Sequence, residues 1–240
     1  MMDHDHSHDH RPAVAEHRMV NDGTLRAAVF GLSDGLVSNT ALVLGVASAA
    51  DSGAVMVAGV AGLLAGAASM AAGEWISMTA QREALQRELD MERAHLDRYP
   101  EDEQQHMLRI LQTAGLSTDT AAQVVGELAR MPEENLAFHA RVELGIDPEE
   151  MGAPVRAAVM SFVAFALGAA VPLLPWLLAN HGMATVATGV ASAIALLATG
   201  AMLARFTGRG AVYSGVRQLL IGAAAAALTM GIGALVGVQV

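Results

Sequence analysis

Gly53-Ala-Val-Met-Val-Ala-Gly-Val-Ala-Gly-Leu-Leu-Ala-Gly-Ala-Ala-Ser-Met-Ala-Ala-Gly-Glu-Trp-Ile76 runs straight into Gln81-Arg-Glu-Ala-Leu-Gln-Arg-Glu-Leu-Asp-Met-Glu-Arg-Ala-His-Leu-Asp-Arg98, with no breaker between. The first stretch is apolar all round and long enough to cross a bilayer core, which takes about 20 helical residues. The second is polar and heavily charged. One helix that leaves a membrane and continues in water accounts for both halves, and this reading decides the fold. Four more apolar stretches lie around it: Ala27–Ala50, Ala157–Ala179, Ala184–Ala204 and Leu219–Val240. Each meets the length for a span, and none has the polar face of a soluble surface helix. The expected class is therefore all-α, a polytopic membrane protein with five transmembrane helices and a helical insert between helices 2 and 3. Pro172 and Pro175 should kink or end the third span, because proline withdraws a backbone donor.

Composition agrees. Of 240 residues 53% are hydrophobic but only 4% aromatic, so the apolar mass is Ala, Val, Leu, Gly and Met. Small residues let helix backbones approach closely in lipid. There is no cysteine, which rules out disulfides and thiolate metal sites. The net charge of -10 argues against nucleic acid as a partner and suits cationic ligands. No organic cofactor motif is present; the Gly-rich pieces lie inside apolar spans. Lysine is absent, so orientation is read from arginine. Arg11, Arg18 and Arg26 precede helix 1, seven arginines and then Arg156 mark the insert, and Arg205, Arg209 and Arg217 surround the helix 4–5 loop. The opposite loops hold Asp51 and His181 and no arginine. Arginine marks the cytoplasmic side. The N-terminus and insert are therefore expected in the cytoplasm and the C-terminus outside. The absence of a targeting segment suits a cell inner membrane.

Four stretches follow as expected domains: a His/Asp-rich tail over 1–26, spans 1 and 2 over 27–80, the insert over 81–152, and spans 3 to 5 over 153–240. The insert carries 16 acidic residues against seven arginines. Tyr99-Pro100 should end the first insert helix. Glu101–Ala114 reads as a second helix closed by Gly115, Ser117 caps a third to about Arg130, and Pro132 opens a fourth to Leu144 before Gly145.

Asp34 in span 1 and Glu74 near the inner end of span 2 are carboxylates at membrane depth, which costs about 3 kcal/mol on insertion scales and points to an ion path or proton relay. Asp34 lies about 12 Å beyond Arg26 along a helix rising 1.5 Å per residue. Met70 stands one turn before Glu74 on the same face; a thioether beside a carboxylate favours a softer divalent metal over Mg or Ca, but on its own a methionine in an apolar helix reads first as packing. In the insert, Glu92 with His95, Glu103 with His106, and His139 with Glu143 each place a carboxylate and an imidazole on one helix face, and Glu88 extends the first stripe. Such a set suits Fe, Mn, Zn or Co. The tail histidines His4, His6, His8 and His10 read equally as a loose metal binder or as part of a disordered tail.

Phe30-Gly-Leu-Ser-Asp34-Gly-Leu-Val-Ser38 and Ala65-Gly-Ala-Ala-Ser-Met70-Ala-Ala-Gly-Glu74-Trp-Ile-Ser77 resemble the signatures of the vacuolar iron transporter (VIT) family, and the chain looks like a bacterial member. Glu143-Leu-Gly-Ile-Asp-Pro148 and the order of five spans with an insert after the second fit as well. The resemblance implies a homodimer that exports Fe2+, and often Mn2+, from the cytosol in exchange for protons. It places Asp34 and Met70 on the path and assigns metal collection to Glu92, His95, Glu103, His106, His139 and Glu143. This chain departs from the family pattern in having histidine at three of these positions, which adds Zn2+ and Co2+ to the candidate metals. It has Gly62 where some members carry a path glutamate, so Glu74 is a candidate to replace it in proton coupling. Two other readings stand beside the transporter: a membrane-tethered di-iron carboxylate ferroxidase, since Glu-x-x-His pairs also build such centres, and a metal sensor.

Overall fold

The computed structural model describes residues 24–149 and 151–237, and all regular structure among them is helical. The order is α1 (Thr24–Ala47), α2 (Ser52–Arg98), α3 (Pro100–Thr113), α4 (Thr118–Leu128), α5 (Pro132–His139) with a π-helical turn Ala140–Leu144, α6 (Pro154–Ala170) with a 3-10 turn Val171–Leu177, α7 (His181–Thr207) and α8 (Ala211–Gly237). The histidines of the N-terminal tail lie outside the described residues. Among the described residues five helices are long and apolar enough to cross a membrane. The chain divides into two compact units, residues 24–76 with 153–237, and Ser77–Gly152.

In the first unit α1 is the central helix, packed on α6, α7 and α8. Its approach to α6 is set by glycine. A Cβ on Gly31 would meet the carbonyl of Ser161, one on Gly35 would run into the carbonyl of Phe165, and one on Gly168 into that of Leu32. Gly31 and Gly35 are one turn apart on one face, the small-xxx-small arrangement that lets two membrane helices touch backbone to backbone. Val43, Val55, Leu173, Trp176 and Ala184 form one buried cluster, and Ala67, Phe165 and Ala169 another.

The prolines after α6 do not end the third span; they tighten it into the 3-10 turn. Two carbonyls pay for that with lost donors, and side chains replace both. Ala169 faces Pro172 three residues on, and Asn39 Nδ2 donates to its oxygen at 2.6 Å. Pro172 in turn faces Pro175, and the Thr188 hydroxyl donates to its oxygen at 2.9 Å while accepting from Trp176 Nε1 at 2.9 Å. Helices in lipid tolerate proline on this condition, that neighbours satisfy the freed groups. The fifth helix departs from its expected start at Leu219. It begins at Ala211, so Arg217 lies inside the helix rather than in the loop. The arginine sits over the ring of Tyr213 one turn earlier, 6.0 Å from its centroid, a cation–π contact that lets the helix carry it.

In the second unit, Pro100 occupies the first turn of α3 together with Glu101, Asp102 and Glu103, acidic residues where the helix dipole favours them. Gly115, at φ 103°, turns the chain out of α3, and the Ser117 hydroxyl accepts from Thr120 N to cap α4. Met107 and Leu111 of α3 pack on Ala121 and Val125 of α4. Leu89 of α2 packs on Ala140 and Ile146, with Leu85 and Met151 beside them. The fourth insert helix is α-helical only to His139; its last turn to Leu144 is a π turn, closed by Gly145 at φ 67°.

Candidate metal centres

The membrane unit holds a cavity of about 360 Å³ against which Asp34 and Met70 both stand. The glycine face of α1 explains the first placement. Gly31 and Gly35 are committed to α6, so Asp34 is turned off that contact and towards α2. Ser38, Asn39, Leu42, Gly62, Gly66, Ser69 and Phe165 complete the lining. The Phe165 ring occupies the space that a side chain at Gly66 would need. Glu74 is placed differently. It does not line this cavity, and its Oε1 pairs with Arg26 Nη2 at 3.4 Å.

In the insert, Glu92, Glu103, His139 and Glu143 each offer a ligand atom within 4.8 Å of the others. Leu85 and Leu89 are buried against Ala140 and Ile146, and Glu92 continues their face one turn on. Met107 is buried against α4, and Glu103 stands one turn before it. His139 Nδ1 lies 3.0 Å from Glu92 Oε1 and 3.7 Å from Glu143 Oε2. Close as the first two are, neither atom has a hydrogen-bond partner in a bonding direction, and their side chains are only 3% and 8% exposed. Buried polar atoms are ordinarily paired. Two that converge without bonding to each other are disposed as ligands to a third body. Glu143 lies within the π turn, four residues after His139, and such turns recur at functional sites. Glu143 Oε1 also meets His106 Nε2 at 3.3 Å. Burial first, then the Glu143 carboxylate, pushes the Glu92 carboxyl above its ordinary range; Glu103 adds to this, while His139 and His95 oppose it.

Three of the seven insert arginines are engaged elsewhere: Arg93 with Glu133 at 2.7 Å, Arg130 with Glu127 at 2.9 Å, and Arg141 with Asp147 at 3.0 Å. Three carboxylates and one imidazole, with no thiolate, suit a divalent ion of intermediate hardness such as Fe2+, Mn2+ or Zn2+. Two residues named from sequence stand apart. His95 is exposed, its ring 6.4 Å from that of Tyr99, and Glu88 is exposed one turn before Glu92.

The sequence profile of the VIT family matches residues 25–234. The chain belongs to the VIT family. Among curated relatives, it is similar to vacuolar iron transporter 1 of Oryza sativa subsp. japonica, 32% identical over 228 residues that cover 94% of this chain and 89% of the relative. It is also similar to vacuolar iron transporter 1 of Arabidopsis thaliana, at 32% over 85% of this chain and 82% of the relative, and to the vacuolar iron transporter of Acanthamoeba castellanii, at 35% over 88% and 78%. Within this VIT-family chain the three insert histidines part company: His139 is inside the ligand group, His106 touches its edge through Glu143, and His95 is outside it. Asn39 on the membrane cavity escaped the sequence reading. Its signal was available, since Ser38-Asn39-Thr40 is a polar triplet in mid-span, and polar groups at that depth are rare without a reason.

Proposed function

We propose that this protein exports divalent transition-metal ions, Fe2+ and with it Mn2+, from the cytosol in exchange for protons. The observation that carries the reading is the shared cavity of Asp34 and Met70 within the membrane unit. A carboxylate and a thioether on one cavity can strip and hold a transition ion where lipid offers it nothing. The ligand group of the insert supports a capture step on the same side as the N-terminus, and the iron transporters among the relatives support the cargo. Capture would draw on Glu92, Glu103, His139 and Glu143, with His106 at the edge and His95 and Glu88 on the approach. Transfer brings the ion to Asp34 and Met70. Protonation of Asp34 from the far side then releases it, because a ligating carboxylate must be ionised. Glu74, held by Arg26, is assigned to the same route in this reading.

Asp34 is exposed on the single chain. A carboxylate facing lipid is costly, which favours a homodimer whose second copy covers the cavity. The reading sets the protein in a cell inner membrane, and the arginine distribution supports an orientation with the N-terminus and insert in the cytoplasm and the C-terminus outside. Asp34→Ala should abolish proton-coupled Mn2+ and Fe2+ movement in proteoliposomes. Undiminished transport by that variant overturns the reading. The ferroxidase alternative draws on Glu143 standing between His106 and His139; Fe2+-dependent O2 consumption by the full chain without metal flux would favour it.

A further inference from the structure

We infer that the side-chain oxygen of Asn39 is a second cation-ligating station in the membrane cavity, beyond Asp34 towards the C-terminal end of α1, and that Gly62 keeps it open. This rests on the metal-transport reading above. Asn39 is 2% exposed. Its amide cannot turn round: Nδ2 donates at 2.6 Å to the Ala169 carbonyl, whose partner three residues on, Pro172, has no N–H. Reversal would set carbonyl against carbonyl. Oδ1 is thereby fixed on the opposite side, where it has no hydrogen-bond partner although it is buried. Asn39 lines the cavity that Asp34 and Met70 share. Across from it is Gly62, where a Cβ would sit 3.0 Å from Oδ1 and collide with the end of Leu42. The hydroxyl of Ser38, which also lines the cavity, donates to the Asp34 backbone oxygen at 2.6 Å.

Asn39 is five residues beyond Asp34, about 7.5 Å along the helix. An ion that leaves Asp34 in this direction meets a neutral oxygen. An amide oxygen does not take up protons in this role, so it holds the ion by dipole alone and lets it go. That is what a multi-site path requires, binding favourable enough to enter and weak enough to leave. A carbonyl-type oxygen is also a hard ligand and suits Mn2+ better than softer ions.

The test uses the full chain in proteoliposomes with Mn2+ and Zn2+ as the probes. Gly62→Ala leaves the Asn39–Ala169 bond intact and covers Oδ1 with one methyl group. It should lower the saturated Mn2+ rate about ten-fold. The double variant Gly62→Ala/Leu42→Ala, which relieves the Leu42 collision but not the cover on Oδ1, should stay slow. Asn39→Met, which puts a thioether in place of the oxygen, should raise the Zn2+ to Mn2+ rate ratio about three-fold. A wild-type rate in Gly62→Ala, recovery in the double variant, or an unchanged metal ratio in Asn39→Met overturns the station. Asp34→Ala separates the two levels: if it transports, the transport reading itself fails, whereas if it is dead while Gly62→Ala runs at the wild-type rate, only the station fails.

Discussion

Glu92 shows how far residue spacing carries a site and where it stops. Helical spacing groups Glu88, Glu92 and His95 on one side of α2, and geometry along a single helix cannot rank them. Packing does. The face of Leu85 and Leu89 is buried against Ala140 and Ile146, which draws Glu92 inward to His139 and leaves His95 and Glu88 in solvent. The same contact raises the Glu92 carboxyl above its ordinary range, with a definite consequence for pH. A raised carboxyl means the metal-free fold binds more protons than the unfolded chain, so metal-free stability falls as pH rises between the ordinary and raised values. Metal binding needs the ionised form and runs the other way, weakening as pH falls through the raised value. Metal titration of the full chain across mildly acidic pH should therefore give an affinity that drops earlier than an ordinary carboxylate would dictate. Glu92→Gln should weaken binding about ten- to a hundred-fold and flatten that pH dependence. A slope unchanged in Glu92→Gln would remove Glu92 from the site.

At the scale of elements, the spans were legible because an apolar run of span length has few other readings. Their ends were less so. The chain reads Arg217 as a loop marker until Tyr213 is seen beneath it, and the two prolines after α6 read equally as a kink or a stop until Asn39 and Thr188 are seen to supply the missing partners. Both exceptions depend on a neighbour that only the tertiary fold brings near. The glycines of α1 belong to this scale as well. Gly35→Ala forces a methyl group into the Phe165 carbonyl. Overpacking of this kind costs about 1–3 kcal/mol, and because both contacting groups are backbone, relief requires α1 and α6 to part. Thermal unfolding in detergent should show a lower midpoint for Gly35→Ala, with metal titration of the insert left as in the wild type. An unchanged midpoint would mean the two helices are not held this closely.

At the scale of the whole molecule, sequence delivers two materials, an apolar bundle and an acidic helical unit, and the structure keeps them as two compact units. What sequence withholds is which charges are balanced. The insert's Arg93, Arg130 and Arg141 pair with Glu133, Glu127 and Asp147, carboxylates outside the ligand group. Glu92, Glu103 and Glu143 are left crowded within 4.8 Å of one another with His139 beside them. Like charges so close push against the packing that brings them together, and a divalent ion reverses the sign of that force. A ligand that binds only the folded form stabilises it by about 2.7 kcal/mol at a hundred times its dissociation constant. Trypsin, which cuts after arginine, should therefore cleave the insert of the full chain more slowly with Mn2+ present than with chelator, and equal rates would argue against a bound ion. In a cell the same difference would set lifetime: if the insert binds metal, copies with an ion bound would be the ones proteases spare, and abundance would follow metal supply without any change in synthesis.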